Sequence, residues 1–247
     1  MHRRVPMPRP PAPAPPVANR LLAALPSTIR IPLLACLEPV DLPLAHVLAV
    51  PGDRMRHVYF PTTGVVALLA RVDDHPPLAV GMVGNEGLVG ISLVFGVRAA
   101  PVGAIVQVAG TALRLSARAL RLYDPQRGAL LALLGRYAGA LVLQIAQQAA
   151  CSQFHRLEAR LGCWLLMTHD RAPAEVWGLT QHFLATLLGV RRASVTQAAS
   201  HLQEQQLIHY RRGQLRILDR AGLERASCPC YTVMKAYDSC RTPLGRA

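Results

Sequence analysis

The stretch from Leu179 to Leu202, LTQHFLATLLGVRRASVTQAASHL, constrains the fold more than any other part of the chain. Thr180 stands where a hydroxyl can accept a hydrogen bond from the free amides of a first helical turn. Ala185 is small, which lets two crossing helices approach. Gly189 follows four residues later, where a chain leaving a helix takes the left-handed conformation that glycine tolerates best. Leu184, Leu188, Val190, Val195 and Ala198 fall at positions that bury the inner faces of both helices. The combined pattern predicts a helix-turn-helix from Thr180 to about Gln205.

An ordinary helical hairpin in a core uses similar glycines, and two features count against it. The second helix opens on Arg191 and Arg192, although a helix N-terminus favours acidic residues. Cations there cost helix stability unless a polyanion compensates. After the second helix come Leu207–Tyr210, Arg211-Arg212-Gly213-Gln214 and Leu215–Leu218, a two-stranded hairpin with a basic tip, as in the wing of a winged helix. DNA is therefore the expected partner. Residues at the start of a recognition helix project into the major groove. Arg191 and Arg192 are candidates for guanine or for phosphate, and Ser194 and Gln197 for base edges. Thr180 and Gln181, at the start of the first helix, are candidates for a backbone phosphate, and Arg211 and Arg212 for non-specific charge.

The whole chain agrees with a polyanionic partner. Its formal net charge is +13 over 247 residues, which suits nucleic acid or an acidic membrane surface without choosing between them. Lys235 is the only lysine, so nearly all the positive charge is arginine.

Upstream, the texture is α+β. Residues 1–18 form a Pro/Ala-rich tail with no apolar signal-peptide core. Residues 19–125 read as a sensing domain: a weakly helical Leu21–Leu37, then short apolar runs broken by Gly, Pro and Asp. The runs His57–Pro61, Gly64–Arg71, Leu78–Val83, Ile105–Val108 and Ala112–Leu115 predict an antiparallel β-roll of jelly-roll type. Residues 126–153 read as a long helix and hinge: Leu130, Leu133, Leu134, Tyr137, Leu141 and Ile145 form a narrow apolar seam between Gln126 and Gln148, and Cys151–His155 breaks it. Such a seam suits packing on the roll. Its continuation through Ala138, Ala140 and Ala146 favours two helices meeting closely, so Leu130, Leu134, Tyr137, Leu141 and Ile145 are expected at a homodimer contact. Residues 154–230 form the winged-helix domain, opening on a helix at Arg156–Thr168, and 231–247 a C-terminal tail.

No membrane span is expected, because the most hydrophobic stretches, such as Ala129–Gly135, are short; the expected location is the cytoplasm. The six cysteines are too dispersed for a secreted disulfide framework and are expected as reduced thiols. A zinc site at Cys228-Pro229-Cys230, with His209 and Cys240, is the weaker alternative, and no metal is expected.

In their order, roll, long helix, hinge and winged helix, residues 20–225 resemble the Crp/Fnr family of bacterial regulators. The stretches that carry the likeness are His57–Gly64 (HVYFPTTG), Gly81–Gly90 (GMVGNEGLVG), His155–Leu166 (HRLEARLGCWLL) and the helix-turn-helix with its wing. The resemblance implies a homodimer that binds a two-fold symmetric operator, works with RNA polymerase and senses an effector in the roll. It places the effector pocket at Gly84, Asn85, Glu86 and Arg98.

The departures are specific. Cyclic-nucleotide-binding members carry Gly-Glu for the ribose and Arg-Ser/Thr-Ala for the phosphate. Here Gly84 is followed by Asn85, and Arg98 by Ala99 and Ala100, so a cyclic nucleotide is not expected. An iron–sulfur cluster is not expected either, since Cys36 is the only cysteine in the first 150 residues. His46, His57 and His75 leave haem open, and the effector is unidentified. In the recognition helix the family's Arg-Glu and later Arg correspond to Arg192, Ala193 and Gln197, so the usual half-site does not transfer. Two other readings follow from the same residues. One is a small-molecule sensor that acts through protein partners with a degenerate helix-turn-helix. The other is a cupin-like enzyme, for which no cluster of His and carboxylate ligands is visible. A regulator, not an enzyme, is the preferred expectation.

Overall fold

The computed structural model of the chain describes residues 18–122, 127–172 and 175–237. Residues 1–17 of the expected tail, the Asp124-Pro125 boundary, Pro173 and residues 238–247 lie outside the described residues.

The N-terminal part begins with helices α1 (Arg20–Ala23) and α2 (Ser27–Ala35). The Asn19 side chain caps α1, accepting from the Leu22 amide at 3.0 Å. Strands β1 (Glu38–Leu42), β2 (Val47–Ala49), β3 (His57–Pro61), β4 (Val65–Ala70) and β5 (Leu78–Val83) follow. Next come helix α3 (Ile91–Val94), strands β6 (Gly103–Val108) and β7 (Gly110–Ser116), and helix α4 (Ala117–Leu122). The strands form two antiparallel sheets, β1-β7-β3 and β2-β6-β4-β5. Leu42, Val66, Leu68, Val83, Val106 and Ala112 fill the space between them.

The five strands expected from apolar runs are β3 to β7, displaced by at most two residues. β1 falls beyond the stretch expected to be helical. Its sequence, EPVDL, carries a proline and two acidic residues and is mostly exposed, as befits an edge strand.

Helix α5 (Arg127–Phe154) then runs 28 residues. Leu130, Leu133, Leu134 and Tyr137 are buried in one core with Leu21, Leu22, Phe60 and Leu88 of the same chain. The seam expected at a dimer contact is thus covered by the roll for Leu130, Leu134 and Tyr137, while Leu141 and Ile145 are half-buried. Large side chains fill the gap to a sheet, and Tyr137 fixes the spacing. Its hydroxyl donates to the Leu88 carbonyl at 2.9 Å, and a Cβ on Gly87 would stand 2.3 Å from its ring. The outward face instead carries Leu131, Gly135, Gly139, Val142 and Ala146.

Contrary to the expectation of no apolar stretch of that length, Gly128–Phe154 is long and apolar enough to cross a membrane, with mean hydropathy 1.7. Its inner face nonetheless rests on the roll.

The C-terminal part contains α6 (Leu157–Arg171), β8 (Trp177–Gly178), α7 (Gln181–Leu188) and α8 (Arg192–Glu204). These lead to β9 (Ile208–Arg211), β10 (Gln214–Ile217), α9 (Arg220–Ala226) and α10 (Cys230–Tyr237). The wing is a three-stranded sheet, β8-β10-β9, with β8 from the segment before α7 added to the expected hairpin. The boundary expected at residue 230 falls at the start of α10. Tyr231 and Met234, assigned to a tail, are each 4% exposed and belong to the core.

One core joins the two parts. Val65, Ala67, Ala79 and Met82 of the roll pack with Leu161, Trp164 and Leu165 of α6. Within this apolar contact Gln107 Nε2 donates to Thr168 Oγ1 at 2.8 Å, and that hydroxyl donates in turn to the Trp164 carbonyl at 2.8 Å, while Gln107 Oε1 has no partner among the described residues.

Candidate nucleic-acid interface

The α7–α8 unit is built as its residues dictate. Thr180 Oγ1 accepts from the Phe183 amide at 3.1 Å and caps α7. Gly189 ends that helix at φ +65°, in the left-handed region. Any side chain here would also meet the roll, because a Cβ on Gly189 would stand 2.7 Å from Leu78 Cδ1. Leu184, Leu188, Val195 and Ala198 are buried between the helices.

This packing turns one polar surface outward. Arg191 and Arg192 are exposed at the start of α8, whose first turn holds no acidic residue and no side-chain cap. Their charge therefore meets the positive helix end without internal compensation. Gln197 is exposed and Ser194 half-buried on the same helix. Thr196, which the sequence pattern did not single out, is exposed between them and donates to Gln181 Oε1 at 2.9 Å. That bond ties the two helices together on the outward side.

The wing completes the surface. Arg212 (φ +52°) and Gly213 (φ +77°) both take left-handed backbone at the hairpin tip, the geometry of a tight turn between Arg211 and Gln214. Arg211, Arg212 and Arg216 are exposed. Between wing and α8 lies a cleft of about 550 Å3 that gathers Thr180, Gln181, Arg192 and Arg212. His182, also in this cleft, was not anticipated. Tyr210 lines its floor; burial pushes its phenol up to about 12, so it stays neutral and donates to the Leu179 carbonyl.

Of the residues expected at the effector pocket, Gly84, Asn85 and Glu86 share one turn, and Arg98 does not pair with them. Glu86, 4% exposed, accepts from the Gly84 amide at 3.0 Å and pairs with Arg171 Nε at 2.8 Å. The carbonyl of Asn85 accepts from the Arg20 amide at 2.6 Å. Arg98 is exposed on the loop between α3 and β6 and makes no ion pair with Glu86. The space beside Glu86, bounded by Met82, Tyr137, Gln144 and Tyr237, is about 20 Å3, enough for one water at most. Gln144 closes it further by accepting from the Met82 amide at 2.7 Å. A larger groove, about 810 Å3, opens where Val72, His75 and Leu78 of the roll face Thr186, Gly189 and Arg191.

The histidines that left haem open are scattered: His46 and His75 are exposed on separate loops, and half-buried His57 stands on β3. The cysteines depart from the expectation of dispersed thiols. Cys151, His155, Cys228 and Cys230 converge, whereas His209 is exposed on β9 and Cys240 lies outside the described residues.

Residues 159–226 match the family model of the Crp-like helix-turn-helix domain. Among curated proteins, none matches the chain. Solved structures share its fold. The c-di-GMP responsive global regulator CLP of Xanthomonas campestris superposes with a TM-score of 0.63 at 19% identity, over 78% of this chain and 100% of that one. FixK2 from Bradyrhizobium japonicum gives 0.65 at 14% identity, over 78% and 98%. A CRP/FNR-family transcriptional regulator from Thermus thermophilus gives 0.60 at 23% identity, over 77% and 98%.

Proposed function

We propose, from a Crp-like helix-turn-helix domain at residues 159–226 set on the fold of the Crp/Fnr regulators, that the chain is a cytoplasmic, homodimeric, sequence-specific transcription regulator. The observation that carries this reading is the exposed polar face on which Arg191, Arg192 and Gln197 of α8 stand beside Thr180, Gln181 and the Arg212 wing. Arg192 and Gln197 are the base-reading residues, since arginine suits guanine and glutamine adenine in the major groove. Thr180 and Gln181, at a helix N-terminus, hold a backbone phosphate, and Arg211 and Arg212 add charge along the duplex.

The homodimer forms through the outward face of α5. Leu131, Gly135, Gly139 and Val142 are exposed there, and small residues let two helices approach closely. RNA polymerase is the further partner. This reading does not take a cyclic nucleotide as the effector: Glu86 pairs with Arg171, and the space beside it is about 20 Å3.

Replacing both Arg191 and Arg192 with alanine tests the reading. Operator binding, measured by fluorescence anisotropy, is expected to collapse while the fold is retained. Unchanged DNA binding, or signalling that survives the loss of DNA binding, would count against a DNA-reading output.

A further inference from the structure

We infer that Cys151, His155, Cys228 and Cys230 form a mononuclear, tetrahedral site for a thiophilic divalent cation, zinc in the first instance, which staples the end of α5 to the start of α10. Their four candidate ligand atoms all lie within 4.8 Å of one another. Cys151 Sγ and Cys228 Sγ are 3.4 Å apart, as are Cys230 Sγ and His155 Nδ1. Zinc bound to sulfur at about 2.3 Å and to nitrogen at about 2.0 Å sets tetrahedral edges of roughly 3.5–3.8 Å, so the two 3.4 Å pairs need open only slightly and wider pairs close by about 1 Å at most to hold the ion. An iron–sulfur cluster would place several irons and sulfides between the thiolates. Four atoms gathered this tightly leave room for a single ion.

The fold makes the gathering specific. Cys151 lies in the last turn of α5 and His155 just past its end, where the His155 amide still donates to the Cys151 carbonyl at 3.1 Å, so the two share a face. Cys228 and Cys230 flank Pro229, where the chain enters α10. The two pairs come from positions more than 70 residues apart, as the Cys151–Cys228 separation of 77 shows. Cys151, Cys228 and Cys230 are 1%, 4% and 2% exposed. With all four positions supplied by protein, this is a closed site of the structural kind.

Two neighbours support a bound cation. Gln147 Nε2 donates to Cys230 Sγ at 3.0 Å, the outer-shell bond that orients a thiolate ligand. Arg160, 9% exposed, lies within electrostatic reach of Cys151 and Cys228. It donates to the Leu188 carbonyl at 2.8 Å, and among the described residues no carboxylate pairs with it. A buried guanidinium needs a counter-charge. Three thiolates, a neutral imidazole and a divalent ion together carry one net negative charge and supply it.

The test begins with the full-length protein, purified without added metal and analysed by inductively coupled plasma mass spectrometry. One zinc per chain is expected. After its removal, cobalt(II) should restore the intense visible bands of tetrahedral, thiolate-rich cobalt. Cys228→Ser, Cys151→Ser and His155→Ala should each lose the bound metal, and Cys36→Ser should keep it. If a ligand variant does not fold, the wild-type stoichiometry and cobalt spectrum still decide. Folded wild-type protein with no stoichiometric metal and no tetrahedral cobalt spectrum would overturn the site. So would a Cys151–Cys228 disulfide in protein kept under reducing conditions, or metal retained by all the ligand variants.

Discussion

The carboxylate of Glu86 and the guanidinium of Arg171 meet at 2.8 Å in the interior, joining the turn after β5 to the last turn of α6. Both side chains are almost wholly buried. Removing one partner of such a pair leaves a buried charge without compensation, which costs about 3–5 kcal/mol. Glu86→Gln should therefore lower the unfolding free energy by about that amount in a denaturant titration. The double variant Glu86→Gln with Arg171→Met should lose less than the sum of the two single changes. Additive losses would show that the pair does not act as a unit.

On the wing, Arg211 and Arg212 are assigned to phosphate contact. Arg212 has left-handed backbone, so Arg212→Asn keeps the turn where alanine would strain it. Combined with Arg211→Ala, it should reduce the slope of log binding constant against log salt by about 2, roughly 0.9 per lost contact. The preferred sequence should not change. A changed preference with an unchanged slope would place these residues on base edges instead.

On helix α5 the proposed dimer contact and the packing on the roll lie on different faces. Val142, 66% exposed on the outward face, becomes a buried charge in the dimer as Val142→Glu. This change should yield monomers in analytical ultracentrifugation without altering the fold. Leu134→Ala acts on the inner face, where Leu134 is 2% exposed, and should cost about 2–5 kcal/mol of stability. Dimers that persist in Val142→Glu would move the contact elsewhere.

Much of this was legible in the sequence because it is local. Thr180, Gly189 and the buried Leu184 and Val195 sit within one short segment, where spacing alone sets geometry. Strands β3 to β7 announce themselves as apolar runs. What covers the α5 seam was not legible, because periodicity locates a seam without saying what packs on it. Leu130, Leu134 and Tyr137 fill the gap to a sheet, and the small residues are left for a closer contact. The pairing of Glu86 with Arg171, 85 positions apart, and the meeting of Cys151 with Cys228 depend on tertiary closure, which no local pattern encodes.

Stability should also depend on pH through His169. Its Nδ1 accepts from Arg220 Nη1 at 2.6 Å, which requires a neutral ring. Burial, with the nearby Arg220 charge, holds its pKa below the usual histidine value. The unfolded chain thus takes up a proton first as pH falls. Stability from this residue is full above about 6.5 and declines below it until the native ring titrates. His169→Gln should flatten the profile over that interval in thermal melts; an unaltered profile would remove His169 as its source.

The most direct test of a DNA-reading regulator is selection of bound fragments from the source genome at physiological salt, with and without cell metabolites. The account predicts enriched fragments sharing a two-fold symmetric sequence, with half-sites about 10 base pairs apart and binding at least about 1,000-fold tighter than bulk DNA. A purified dimer that prefers no fragment over bulk DNA under either condition would contradict it.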